Sequence, residues 1–171
     1  MSGVRIEVSL VAQQLYLYKP SDEGDILLCQ FPISTARNGA GELEDSFCTP
    51  RGAHRIAEKI GAEAPLFAVF KAREATGEIW TPELEASDPD RDWILSRILW
   101  LEGMEPNRNQ GGLVDSHERY IYIHGTNEED NIGTPVSHGC IRMRNSDVAT
   151  LFECVEVGTL VDIRENQLNV R

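Results

Sequence analysis

The chain has 171 residues, enough for one hydrophobic core, and is expected to form a single domain over 1–171. Its 28 acidic and 16 basic residues give a formal net charge of −12, which disfavours nucleic acid and anionic membrane surfaces as partners. No window approaches the roughly eighteen apolar residues of a membrane span, so no membrane insertion is expected.

The opening, MSGVRIEVSLVAQQLYLY, has no basic n-region, no continuous apolar h-region and no small-residue cleavage site. It predicts a cytoplasmic protein. A chain trimmed of a leader would read the same and would be periplasmic. In the same stretch, Val4, Ile6, Val8 and Leu10 alternate, and Leu15 and Leu17 alternate with Tyr16 and Tyr18, so 4–11 and 13–19 are predicted strands. The turn PSDEGD leads to a third strand over 26–34. Residues 35–50, rich in Gly, Ser, Thr and Asn, are predicted loop. TPRGAHRIAEKIG then returns the chain through a turn and a short strand.

Further along, Asp88-Pro89 has the cap-then-proline order of a helix start. Residues 94–101 are predicted strand, because the long loop EGMEPNRNQGG follows at once. RYIYIH alternates Tyr120 and Tyr122 with Ile121 and Ile123, so 119–124 is predicted strand with His124 at its end. After residue 140, Asn145 or Ser146 can cap a helix on which Val148, Leu151, Phe152 and Val155 share a face. TLVDIR closes as a strand. These elements predict a mainly β, largely antiparallel protein with one or two short helices.

Four cysteines, Cys29, Cys48, Cys140 and Cys154, are irregularly spaced with no Cys-x-x-Cys pair. Cys29 falls in a strand, Cys48 beside the Thr49-Pro50 turn and Cys154 in the helix; all three read as structural thiols. Cys140 differs. It stands in Ser137-His138-Gly139-Cys140, sixteen residues after His124. A free thiol is mostly protonated near neutral pH and needs a polarising partner, which an imidazole supplies. Gly139 lets the backbone approach a substrate carbonyl, making the amides around Gly139 and Cys140 candidate oxyanion donors. The pattern points to cysteine-based acyl transfer. A zinc site from His124, His138 and Cys140 is the competing reading, with His117 or an acidic residue as fourth ligand, but no spacing specifies that ligand. The run Glu128-Glu129-Asp130 reads as a solvated loop face.

The His124-Gly125 pair, Ser137-His138-Gly139-Cys140, the following Arg142 and the turn Thr49-Pro50-Arg51-Gly52 together resemble the L,D-transpeptidase catalytic domain (YkuD-like) family over nearly the whole chain. That resemblance implies a YkuD-like mixed β-sandwich with a cysteine-bearing active-site loop. It implies Cys140 as nucleophile and His124 as general base. The third member is the Gly125 position, which holds serine in some relatives; here only its backbone carbonyl could orient the ring. His138 would shape the site. Tyr122, Ser137, Gly139 and Arg142 would contact substrate, Arg142 alternatively bracing the loop. The implied chemistry needs no cofactor and no metal. Its substrates would be peptidoglycan tetrapeptides or muropeptides, and carbapenems would inactivate it covalently. The unexported reading favours an L,D-carboxypeptidase of peptidoglycan recycling, which removes terminal D-alanine. The alternatives are an L,D-transpeptidase forming 3–3 cross-links or exchanging D-amino acids, and a non-catalytic peptide-binding domain.

Overall fold

The structure, a computed structural model, describes residues 3–166. Ten strands form one sheet: β1 (Arg5–Ser9), β2 (Gln14–Lys19), β3 (Ile26–Ser34), β4 (Gly52–Ile60), β5 (Ala68–Lys71), β6 (Glu74–Ile79), β7 (Ile94–Gly103), β8 (Tyr122–Gly125), β9 (Ile141–Met143) and β10 (Leu160–Arg164). Their order is β4-β10-β1-β2-β3-β9-β8-β7-β5-β6. Because β4 also pairs with β7, the sheet closes on itself into a barrel-like sandwich, and the β5–β6 hairpin hangs off β7 as a flap. Closure removes two exposed edges that would otherwise invite pairing with another chain.

The barrel interior takes Ile6 and Val8 from β1, Leu15 and Leu17 from β2, Leu99 and Leu101 from β7, Ile123 from β8, and Ile141 and Met143 from β9. Pairing is mainly antiparallel. The exceptions are β1 with β10 and β8 with β9, both parallel.

The predicted strands at 4–11, 13–19, 26–34, 94–101 and 159–164 correspond to β1, β2, β3, β7 and β10. Three expectations need correction. The first helix, α1, is Pro82–Ser87: Thr81 caps it by accepting from Leu84 N (3.1 Å), and Asp88 ends it. Thr81-Pro82 has the same cap-proline order as Asp88-Pro89, but is followed by helix-compatible Glu, Leu and Ala, whereas Pro89 follows a stop. Next, the strand expected over 119–124 begins only at Tyr122. Tyr120 has φ 57°, and its N–H donates to His117 O (3.0 Å), which turns the chain. Lastly, α2 (Asn145–Cys154) is capped at Arg144 without a side-chain bond. Neither Asn145 nor Ser146 caps it; Glu129 accepts from Asn145 N instead (2.9 Å). Part of the acidic run thus serves a helix N-terminus, where negative charge is favourable. At the other end Lys59 donates to Phe152 O and Val155 O, both at 2.7 Å.

Candidate active site

The site is built on β8 and β9. Their parallel register pairs Ile123 with Ile141 and His124 with Arg142. Strand side chains alternate between faces. Ile123, Ile141 and Met143 therefore enter the core, and Tyr122, His124 and Arg142 share the other face, with Cys140 just ahead of β9. These four line one cleft of about 310 Å³ with Ala72, Arg73, Asp92, Ile94, Arg119, Tyr120, Ser137 and His138.

The sulfur is held by backbone. Tyr122 N–H donates to Cys140 Sγ at 3.4 Å, and the thiol donates to Tyr120 O at 3.3 Å. Burial pushes the Cys140 thiol up to about 12; the Tyr122 amide and the Arg142 and Arg119 charges oppose this, and Asp92 adds to it. Desolvation thus favours the protonated thiol at rest. His124 is also buried, and desolvation lowers its pKa below the ordinary 6.5 despite the Gly125 carbonyl and Asp92. Its Nδ1 lies 2.7 Å from Gly125 O. A carbonyl can only accept, so Nδ1 carries the proton and Nε2 is left with a lone pair. The neutral ring is thus in the tautomer a base requires.

Gly125 could not be replaced in place. A Cβ there would sit 2.5 Å from Asn145 Oδ1 and 2.6 Å from Leu95 O. Fully buried Asn145 donates to Thr126 O (2.8 Å) and accepts from Ser96 Oγ (2.6 Å), tying the end of β8 to β7. A serine has no room at this position beside the clasp.

The cysteine loop is braced from within and from the Thr-Pro turn. Ser137 Oγ donates to Cys140 O (2.6 Å) and accepts from Gly139 N (3.2 Å). Buried Ser137 thus spends its hydroxyl within the loop, and the Gly139 amide has its partner there. Thr49 Oγ1 donates to Gly139 O (2.9 Å). Gly139 itself has φ 134° and backs onto Cys48 O, a place and conformation for glycine alone. Arg142 pairs with Glu128 at 3.3 Å while still facing the cleft, so it braces the loop and lines the site at once. His138 stands exposed at the rim, edge-on to Phe47 with ring centroids 6.1 Å apart.

Sequence reasoning missed Arg73, Asp92 and Arg119. Arg119 donates to Gly41 O, Glu42 O and Cys48 O, holding the 41–48 segment against the site, and its pKa is lowered by desolvation. None of the three belongs to a short motif, and only the fold brings them beside Cys140. His117, the possible fourth zinc ligand, instead stacks on Trp100, with centroids 3.9 Å apart. Among the described residues no three His, Cys, Asp or Glu side chains cluster as a metal site requires. A larger open groove of about 1150 Å³ lies over β1, β10 and β4, but its arginines are neutralised by local pairs such as Arg5–Glu7 and Arg51–Glu42.

A family model described as the L,D-transpeptidase catalytic domain (YkuD) matches residues 3–163. The chain belongs to this family. The probable L,D-transpeptidase YcfS of Escherichia coli (strain K12) is 48% identical over 167 residues, covering 96% of this chain and 45% of that protein. The putative L,D-transpeptidase YkuD of Bacillus subtilis (strain 168) is 44% identical over 127 residues, 71% of this chain and 70% of that one. The chain spans less than half the length of the E. coli relatives it matches. In fold, it superposes on L,D-transpeptidase 3 from Mycobacterium tuberculosis in complex with a faropenem-derived adduct with a TM-score of 0.53. That likeness covers 95% of this chain and 60% of the other at 15% identity.

Proposed function

We propose that the chain is a cysteine-dependent L,D-acyltransferase acting on peptidoglycan tetrapeptide stems. The observation that carries this reading is the pairing, on one cleft face, of the Cys140 thiol with a His124 ring whose Nδ1–H is held by Gly125 O. As Cys140 attacks the carbonyl of the L-centre of the diamino acid, its proton passes to His124 Nε2. The tetrahedral intermediate collapses, the C–N bond breaks, and His124 returns the proton to the departing D-alanine amine. A thioester remains on Sγ. Resting geometry gives the thiol proton to Tyr120 O, so substrate entry must turn the Sγ–H toward the imidazole.

The thioester is then passed on. The names of the relatives support an amine acceptor, hence transpeptidation. Hydrolysis, the L,D-carboxypeptidase outcome, is supported by the partial solvent exposure of Cys140, which leaves water access to the acyl carbon. Covalent inactivation by β-lactams belongs to the same proposal and is supported by the adduct in the M. tuberculosis relative. The test is mass spectrometry of products from tetrapeptide alone and with a second muropeptide or D-amino acid. D-Alanine release that vanishes in Cys140→Ser, by at least about 100-fold, supports the thioester. Cross-linked or exchanged product identifies the amine acceptor, and free tripeptide in both mixtures identifies water. An unchanged rate in Cys140→Ser overturns the mechanism.

A further inference from the structure

The β5–β6 flap ends in a two-residue turn, Ala72-Arg73, between the paired residues Lys71 and Glu74. Both turn residues have positive φ, 49° and 67°. Such turns ordinarily hold Asn and Gly, because a Cβ is disfavoured in that conformation. An arginine held there at a steric cost, on a flap over a cleft, marks a position kept for its side chain.

That side chain goes into the cleft. The Arg73 guanidinium lies over the rings of Trp100 and Tyr120, 5.0 Å from each centroid, and donates to Tyr122 Oη at 3.2 Å. Its field meets Glu58, but among the described residues Arg73 makes no ion pair. The other two cleft arginines are committed, Arg142 to Glu128 and Arg119 to backbone carbonyls. Arg73 is left as a rigid planar cation with most of its N–H donors unused, on an aromatic platform. That is the arrangement suited to a carboxylate.

We infer that Arg73 is a specificity-determining residue that binds the free carboxylate of the terminal D-residue, the leaving group of the acylation step. The inference rests on the acyltransferase reading above. Position favours this carboxylate over the one at the far end of the diamino acid side chain. Arg73 touches the side chains of Tyr120 and Tyr122, the two residues whose backbone holds the sulfur. The terminal carboxylate lies two bonds beyond the scissile nitrogen, whereas the side-chain carboxylate lies several methylenes further from the attacked carbon.

The test compares kcat/KM for tetrapeptides ending in D-alanine, in D-alaninamide, and in D-alanine with the diamino acid carboxylate amidated. Variants are Arg73→Asn and Arg73→Gly, which suit the turn and so should fold at least as well, and Arg73→Lys. In the parent protein the free D-alanine end should be preferred over its amide by at least about tenfold. Arg73→Asn and Arg73→Gly should bring that ratio close to one, and Arg73→Lys should keep part of it. An unchanged ratio overturns the inference. Loss of discrimination against the amidated diamino acid instead would also overturn it, assigning Arg73 to the other carboxylate. Absence of turnover by the parent protein on every peptide would instead count against the acyltransferase reading.

Discussion

His124 and His138 both precede Cys140 in the sequence, yet the structure separates them. His124 is buried with its tautomer set by Gly125 O, while His138 is exposed at the rim. His124→Ala should abolish acylation by a carbapenem and His138→Ala should only slow it, measured as intact mass against time. The reverse ranking would exchange the roles. The same assay has a pH signature. His124 acts as a base only when neutral, and its pKa is lowered by burial, so the acid limb should fall below 6.5. Desolvation, which pushes the thiol up to about 12, disfavours its ionisation in the neutral range. The rate should therefore be flat from about pH 7 to 9; an inflection near about 8.5, the value of an ordinary free thiol, would indicate direct thiolate attack instead.

At the scale of elements, α2 shows how a helix can be terminated from outside its own sequence. The helix has no basic residue in its last turn; Lys59 of β4 reaches Phe152 O and Val155 O and lays its ammonium 4.1 Å from the Phe152 ring centroid. The charge sits at the negative end of the helix dipole. Lys59→Met keeps the stem but leaves two carbonyls without this donor. It should cost about 1–3 kcal/mol in urea unfolding, with little change in the slope. The helix carries Asn145, which clasps the end of β8, so the same variant should also slow acylation modestly.

For the whole molecule, acid stability should be governed in part by a group remote from the chemistry. His54, fully buried in β4, donates from Nδ1 to Gly52 O (3.0 Å) and accepts from Ser116 Oγ at Nε2 (2.8 Å), which pins the 104–118 loop to the barrel. Burial lowers its pKa from 6.5 to about 4. Between those values the unfolded chain binds a proton there that the folded chain refuses, so stability rises with pH across that window and is lost as pH falls through it. The loss by pH 4 should be about 3 kcal/mol from this residue. Chemical denaturation at pH 7 and pH 4.5 should show it. His54→Leu should be less stable at pH 7 but should lose this part of the slope; an unchanged slope would place the acid sensitivity elsewhere.

The sequence by itself determined most strands and named candidates for the site. Alternation of apolar residues is a local consequence of the pleat, so β1 and β2 were legible; β3 was placed by the turn before it and β7 by the long loop after it. The tetrapeptide around Cys140 marked the candidate nucleophile and two candidate histidines locally; His124 as base and the Gly125 carbonyl as its orienting group came only from the family resemblance. Local rules failed where two stretches obeyed the same rule, as Thr81-Pro82 and Asp88-Pro89 did, or where a distant group replaced the local cap, as Glu129 did for Asn145 and Ser146. What only the tertiary structure decided depends on strand register and on the path of loops. The β4–β7 closure, the Thr49 brace on Gly139, the Asn145 clasp and the convergence of Arg73, Asp92 and Arg119 on the cleft join residues far apart in the chain. Such contacts carry no periodicity and no short spacing, because their energy comes from burial and hydrogen bonding that exist only once the sheet has closed.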